Sequence, residues 1–299
     1  MASKIFSGLD DLPRAAASTE VTPGCMVLEG GGFRALYGEG VLDALMEAGI
    51  NMECTIGVSA GALNGSTYVS GQIGRAARIN LRYRNDSRYV SLAKIFQNEG
   101  ILNFDFIFYH VPDDPLDTDR FFDKSRRYVA VATNCRTGEP VYFDRDTCGD
   151  IYQAIRASSS MPYVCRIVLV DGIPCLDGGC SVKIPYQWAL DQEFSKIVIV
   201  RNKMRDWRYE DERPDWKALR FYHPYPKFAE TLANSHARYN RDSDEINRLE
   251  EEGRVFVIAP SKYFPVGKME TDMEKLGELY YLGYEDGKNA IEDLRQYLA

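Results

Sequence analysis

Between Cys54 and Leu63 the chain reads Cys-Thr-Ile-Gly-Val-Ser-Ala-Gly-Ala-Leu, so a β-branched run gives way within one residue to small helix formers. A chain that turns this sharply from strand to helix needs glycine where backbones meet, here Gly57 and Gly61, and small side chains beside them, here Ala60 and Ala62. The residue at the turn is Ser59, whose hydroxyl such a turn would present as a nucleophile. The pattern alone arises easily by chance. The rest of the chain must therefore supply a base and a place for developing negative charge.

The same β-to-helix switch recurs along the sequence. Apolar runs at Met26 to Leu28, Thr55 to Val58, Tyr128 to Thr133, Ile167 to Val170, Lys196 to Val200 and Val255 to Ile258 alternate with helical stretches. Several are apolar on successive residues, as strands covered on both faces are. This predicts an α/β fold with a mostly parallel central sheet and helices on both sides. Asp171-Gly172 predicts a tight hairpin turn. From Arg34 to Ala48, Leu42, Leu45 and Met46 form an apolar stripe, and Gly49 stops the helix. Glu39, Asp43 and Glu47 form an acidic stripe read as a solvated face, while Gly38 and Gly40 imply close packing on a neighbouring backbone. The last helix is expected to start at a Thr271/Glu274 capping box and to break at Gly283 and Gly287. Two aromatic-rich segments, 95–122 and 204–228, are read chiefly as packing, with an acyl pocket or lid as the alternative.

With 45% hydrophobic and 27% charged residues among 299, the chain can bury a large core. A net charge of −8 without a basic block argues against nucleic acid as a partner. Seven cysteines with no Cys-x-x-Cys read as reduced and buried, and a Cys165–Cys175 disulfide is set aside. Three histidines, His110, His223 and His236, suit no metal motif, so no metal is expected. Neither a signal peptide nor a bilayer-length apolar run is evident, which reads as a cytoplasmic chain. Any membrane contact would be peripheral and rest on local patches; oligomeric state is not legible.

Gly30-Gly31-Gly32 follows an apolar strand run and precedes a helix, so its amides can serve as preorganised donors for an oxyanion. Arg34 would add positive charge or pair with Glu29 or Glu39. Gly30, Gly32 and Ala35 also match a dinucleotide fingerprint, but the acidic residue at the expected offset, Glu53, starts its strand rather than ending it; no cofactor is expected. For the base there are two kinds of candidate. His223 or His236 would complete a triad in the order Ser, Asp, His. Asp177, in Leu176-Asp177-Gly178-Gly179, would form a dyad with Ser59, provided burial or fixed geometry makes the carboxylate a competent base.

The ordered set of motifs closely resembles the patatin-like phospholipases, specifically their bacterial branch. It comprises the glycine loop with Gly-Glu-Gly-Val-Leu-Asp-Ala-Leu, then Gly-Val-Ser-Ala-Gly-Ala-Leu-Asn-Gly, then Asp-Gly-Gly. Ala132-Thr133-Asn134 with Thr137 to Pro140, and Ala157 to Pro162, are similar too, and the resemblance covers roughly residues 24 to 190. It implies a three-layer α/β/α sandwich and metal-free hydrolysis of lipid acyl esters. Ser59 would be the nucleophile, Asp177 the base, and Gly30, Gly31 and Gly32 with Arg34 the oxyanion hole, supported by Gly57, Gly61, Gly178 and Gly179. Ala35 departs from the family's usual glycine. The implied organisation is an N-terminal extension over 1–23, a catalytic core over 24–203, and a C-terminal helical part over 204–299 with at least one further strand packed on the core. The alternatives are a silent lipid- or acyl-binding regulator, or a thioesterase or small-ester esterase with a histidine triad.

Overall fold

The computed structural model describes residues 5–91, 101–112 and 114–299. All six apolar runs become strands of one eight-stranded sheet: β2 (Thr22–Leu28), β3 (Met52–Val58), β5 (Arg127–Asn134), β7 (Val168–Val170), β9 (Ile197–Val200) and β10 (Phe256–Ile258), joined by β6 (Pro140–Asp144) and β8 (Ile173–Asp177). The order is β10-β9-β2-β3-β5-β8-β7, with β6 also on β5. The five strands from β10 to β5 are parallel, and β6, β7 and β8 pair antiparallel. A separate two-residue pair joins β1 (Ala15–Ala16) to β4 (Gln72–Ile73). Asp171 and Gly172 both have positive φ, the conformation a two-residue hairpin between right-twisted strands requires.

Period-two alternation splits each strand between two cores. Met26 and Leu28 of β2 join Tyr128, Ala130, Val198 and Val200 on one face, while Cys25 and Val27 join Ile56, Val129, Ile197 and Ile199 on the other. The first face is covered by α1 (Leu36–Glu47), α2 (Ala60–Val69) and α3 (Arg75–Tyr83). A short α4 (Thr118–Phe121) and α5 (Ile151–Ser158) extend that layer. The opposite face is covered by α6 (Tyr186–Asp191) and α9 (Ser235–Glu251), and between them in the chain lie α7 (Trp216–Phe221) and α8 (Pro226–Ala233). The C-terminal α10 (Met273–Leu298) returns to the first layer and lies along α1. The result is the expected α/β/α sandwich, and all seven cysteines are free.

Three local expectations are corrected. The last helix is capped by Asp272, whose carboxylate accepts from the Glu274 and Lys275 amides, not by Thr271. It also runs unbroken through Gly283 and Gly287. Those glycines serve helix contact: a Cβ on Gly283 would lie 1.9 Å from the Tyr37 carbonyl oxygen, and one on Gly40 2.1 Å from that of Tyr280. Of the acidic stripe only Glu47 is exposed; Glu39 and Asp43 are buried, because α10 and α3 cover them. Glu39 accepts from Asn80 Nδ2 at 2.8 Å, and Asp43 accepts from the Gly74 amide at 2.7 Å and the Tyr280 hydroxyl at 2.9 Å. Burial pushes both carboxyls up, Asp43 to about 7.

The aromatic segments divide. Phe96 lies outside the described residues. Phe104, Phe106, Phe108 and Phe121 are buried in the first core, as packing predicts. Other parts of both segments line cavities described below.

Candidate active site

Strand β3 ends at Val58, and the next residue turns with φ 56° and ψ −125° before α2 begins at Ala60. Ser59 is thus a non-glycine residue in a strained conformation, of the kind a nucleophile elbow imposes. Neighbouring glycines make the turn possible by close approach. A Cβ on Gly57 would fall 2.4 Å from the Gly61 carbonyl oxygen, and one on Gly61 2.6 Å from that of Leu28. The Ser59 amide donates to Ser158 Oγ at 2.8 Å, and that hydroxyl donates to the Val131 carbonyl at 2.6 Å, which pins the turn to β5 and α5.

Asp177 closes β8, which pairs antiparallel with the last residues of β5 in a register that sets Asp177 opposite Ala132, one residue beyond the Val131 that pairs with Val58. Ser59 Oγ donates to Asp177 Oδ2 at 2.8 Å, and the Gly179 amide donates to Oδ1 at 2.7 Å. The backbone is held as well: the Asp177 amide donates to Ser160 O at 2.9 Å, and Thr133 Oγ1 donates to the Asp177 carbonyl at 2.9 Å. Gly178 fits because a Cβ there would meet Val131 O at 2.2 Å. Burial raises the Asp177 carboxyl above the usual aspartate range, against the Gly179 and Ser59 hydrogen bonds and the charges of Lys268 and Lys183. A carboxylate so placed is a stronger base than a solvated one, and it accepts the hydrogen bond of the serine hydroxyl.

The glycine loop lies across the gap. Gly30 is not a free donor, because its amide donates to the Lys183 carbonyl at 3.3 Å; the Phe33 amide donates to that of Lys268 at 3.0 Å. Among the described residues the Gly31 and Gly32 amides have no acceptor, and both residues line the cavity that contains Ser59. Gly32 has φ +60°, and a Cβ there would lie 2.6 Å from Lys268 O. Asn202 Nδ2 donates to Glu29 O at 2.8 Å and clamps the loop start. The Ala35 methyl is buried without disturbing this, and its carbonyl accepts from Asn64 Nδ2. Arg34 pairs with neither Glu29 nor Glu39. Its Nε donates to Val266 O at 3.1 Å, and the side chain lines the same cavity as Ser59.

Neither histidine alternative meets the serine. His223 Nδ1 faces the Arg220 carbonyl. His236 lines the cavity but stacks on Tyr209, with ring centroids 3.7 Å apart, and its Nδ1 faces the Asp211 carbonyl.

Two cavities meet at Ser59. One is a chamber of about 980 Å³ that contains Asp177 and the glycine loop and is walled by the cations Arg34, Lys183, Lys203 and Lys268, with Tyr163 and Trp216 also on its lining. The other is a narrower cleft with apolar walls, including Phe33, Leu63, Ile79, Ile101, Leu102 and Ile107. An acyl chain fits the chemistry of the second and a polar group that of the first. The segments read as packing therefore also supply walls: Ile101, Leu102 and Ile107 to the cleft, and 209–217 to the chamber. Ser158 and Thr133, which position Ser59 and Asp177, were visible only as parts of the similar stretches; the lysines carried no local signal at all.

A mostly parallel α/β sandwich thus sets the half-buried Ser59 against the buried Asp177 at a strand end, facing a glycine loop. This chain belongs to the patatin-like phospholipase family, whose model matches residues 26–190. A second model, described as a domain of unknown function (DUF6363), matches residues 225–299. Similar proteins include the uncharacterized protein YjjU of Escherichia coli, 31% identical over 197 residues that make up 64% of this chain and 54% of YjjU. Lysophospholipase nte1 of Aspergillus terreus is 24% identical over 90% of this chain and 18% of its own length. The chain thus spans about half or less of these relatives. Among solved structures, VipD from Legionella pneumophila has a TM-score of 0.49 at 14% identity, covering 97% of this chain and 71% of VipD.

Proposed function

We propose that the protein hydrolyses carboxylic esters of lipids through a Ser59–Asp177 dyad and an acyl-enzyme. Ser59 Oγ attacks the ester carbonyl as its proton passes to Asp177 Oδ2. The Gly31 and Gly32 amides receive the oxyanion. Collapse of the tetrahedral intermediate breaks the bond to the leaving alkoxide, which takes the proton from Asp177. Water then gives a proton to Asp177 and attacks the acyl-enzyme, and Ser59 leaves with that proton as the fatty acid departs. Phospholipase A, lysophospholipase and esterase activities all fit this scheme, and the name of nte1 adds support to the lysophospholipase reading.

The observation that carries the reading is the 2.8 Å Ser59 Oγ to Asp177 Oδ2 hydrogen bond beside two unsatisfied loop amides. Ser59→Ala and Asp177→Asn should each abolish turnover of p-nitrophenyl butyrate without loss of fold, and a fluorophosphonate probe should label Ser59. An unlabelled serine would instead favour a silent acyl-binding protein. Loss of turnover in His223→Ala or His236→Ala with a fully active Asp177→Asn would replace the dyad with a triad. We further propose peripheral contact with a lipid surface through α7, where Trp216, Leu219 and Phe221 are exposed beside Tyr163 at the chamber. Among the described residues no helix is long and apolar enough to cross a membrane.

A further inference from the structure

The narrow cleft at Ser59 has apolar walls, yet polar side chains interrupt them. Leu63, Asn64, Ser66 and Thr67 of α2 all line it, so it follows that helix for about 10 Å at about 1.5 Å per residue. A volume of about 70 Å³ over that length suits a single chain. Several of the polar groups are spent inside the protein. Asn64 Nδ2 donates to Ala35 O at 3.0 Å, and Ser66 Oγ donates to Leu63 O at 2.7 Å. The Tyr89 hydroxyl donates to Asn80 Oδ1 at 2.6 Å, and Asn80 Nδ2 donates to Glu39 Oε1 at 2.8 Å.

Two others are not spent. Glu39 Oε2 and Ser159 Oγ are buried with no hydrogen-bond partner among the described residues. Both residues line the cleft, and they are only 3% and 6% exposed. Leaving a buried polar atom unpaired is costly, so a native fold that keeps one has a use for it. Asp43, one turn further along α1 and equally buried, gives the contrast: the Gly74 amide and the Tyr280 hydroxyl occupy both of its oxygens. Glu39 has one oxygen occupied.

The chemistry of the free oxygen follows from its surroundings. Burial, and then the neighbouring Asp43 carboxyl, push the Glu39 carboxyl well above its usual range, which favours the protonated form. With Oε1 accepting from Asn80, the proton belongs on Oε2, where it is a donor without an acceptor. Ser159 follows the residue whose hydroxyl holds the Ser59 amide, which places it toward the Ser59 end of the cleft. Glu39 enters from α1 beside α3.

We infer that the cleft takes an acyl chain bearing a hydroxyl group, with Glu39 Oε2 as the principal partner of that hydroxyl and Ser159 Oγ as a second polar contact. The inference rests on the acyl-hydrolase reading and specifies the acyl group for the same site. In a wholly apolar cleft a hydroxyl would be buried unpaired, and a substrate bearing one would be the poorer at every position. Here the plain chain leaves the carboxyl unpaired and is the poorer substrate.

The test compares p-nitrophenyl octanoate with its 3-, 6-, 7- and 8-hydroxy derivatives, which scan the cleft with the hydroxyl. At one position kcat/KM should exceed that for octanoate about tenfold. In Glu39→Leu that ratio should fall to one or below, whereas Glu39→Gln, whose amide still donates, should keep much of it. Ser159→Ala should lower it by a smaller factor. Taking the ratio to octanoate in each protein cancels any change in folding or in Ser59 chemistry common to both esters, and the scan on the unaltered protein tests the inference without any variant. Octanoate superior at every position, or a preference unchanged in Glu39→Leu, overturns the inference while the hydrolase reading stands. Calorimetry on Ser59→Ala with the free acids should show at least one hydroxyoctanoate bound about tenfold more tightly than octanoate. Such binding, lost with Glu39→Leu, by a protein that cleaves no ester supports the cleft assignment and refutes the hydrolase reading alone.

Discussion

Gly61→Ala places one methyl group at the seam on which the site depends. An alanine Cβ there would lie 2.6 Å from Leu28 O and 2.8 Å from Glu29 O. Ordinary carbon–oxygen contact begins at about 3.3 Å, so the shortfalls are about 0.7 and 0.5 Å. Both obstacles are backbone and cannot rotate away. Leu28 is paired with Gly57 on one side and Val200 on the other, which leaves the start of α2 to move. That motion carries Ser59 away from the glycine loop. Since a 1 Å misplacement of reacting groups costs about 10²-fold in rate, roughly half that displacement should lower kcat/KM by about tenfold or more. Overpacking of this kind also destabilises by about 1–3 kcal/mol, seen as a Tm lowered by several degrees. Turnover of p-nitrophenyl butyrate, the rate of fluorophosphonate labelling and a thermal melt measure the three effects. Wild-type values in all three would refute the tight approach of α2 to β2; a lowered Tm with unchanged turnover would refute its link to catalysis.

Further predictions follow from charge and exposure. Asp177 must be ionised to accept the serine proton, and its carboxyl is raised by burial, so kcat/KM should climb with pH through a limb above the ordinary aspartate range. Removing a cation that lowers that carboxyl, as in Lys268→Met, should move the limb to higher pH; an unmoved limb would exclude Asp177 as its source. Asp43 and Glu39 hold protons in the folded chain at pH values where the unfolded chain has released them, so stability should fall as pH rises above about 4 and through about 7. The Asp43 shift from 3.8 to about 7 corresponds to a loss on the order of 4 kcal/mol. Denaturation series from pH 5 to 9 should show a steeper decline in wild type than in Asp43→Asn, and parallel declines would refute the assignment. Leu219→Ser with Phe221→Ser should reduce co-sedimentation with phospholipid vesicles severalfold while leaving hydrolysis of dissolved p-nitrophenyl butyrate in place; unchanged sedimentation would remove α7 as the docking face.

Much of this was legible because it is local. Alternating apolar runs marked the strands, since a doubly covered strand must be apolar on consecutive residues. The elbow was legible because a strand-to-helix turn at Ser59 admits only glycine at positions 57 and 61. Asp-Gly at 171–172 announced its hairpin for the same stereochemical reason. The acidic stripe of α1 misled because its cover, α10, lies more than two hundred residues away in the chain. The glycines of α10 read as helix breaks because their partner backbone, α1, was equally remote.

What the amino-acid order determined by itself was thus the α/β class, the elbow and the two residues fit for a dyad, all set by short-range backbone and patterning constraints. Tertiary structure brought Asp177, 118 residues further on, within hydrogen-bond reach of Ser59, because the register of β8 on β5 stops it level with the end of β3. It also decided that Gly30 is spent while, among the described residues, the Gly31 and Gly32 amides are free, and that lysines 85 residues apart share one chamber. Those outcomes depend on strand order and long-range packing, which no local spacing encodes.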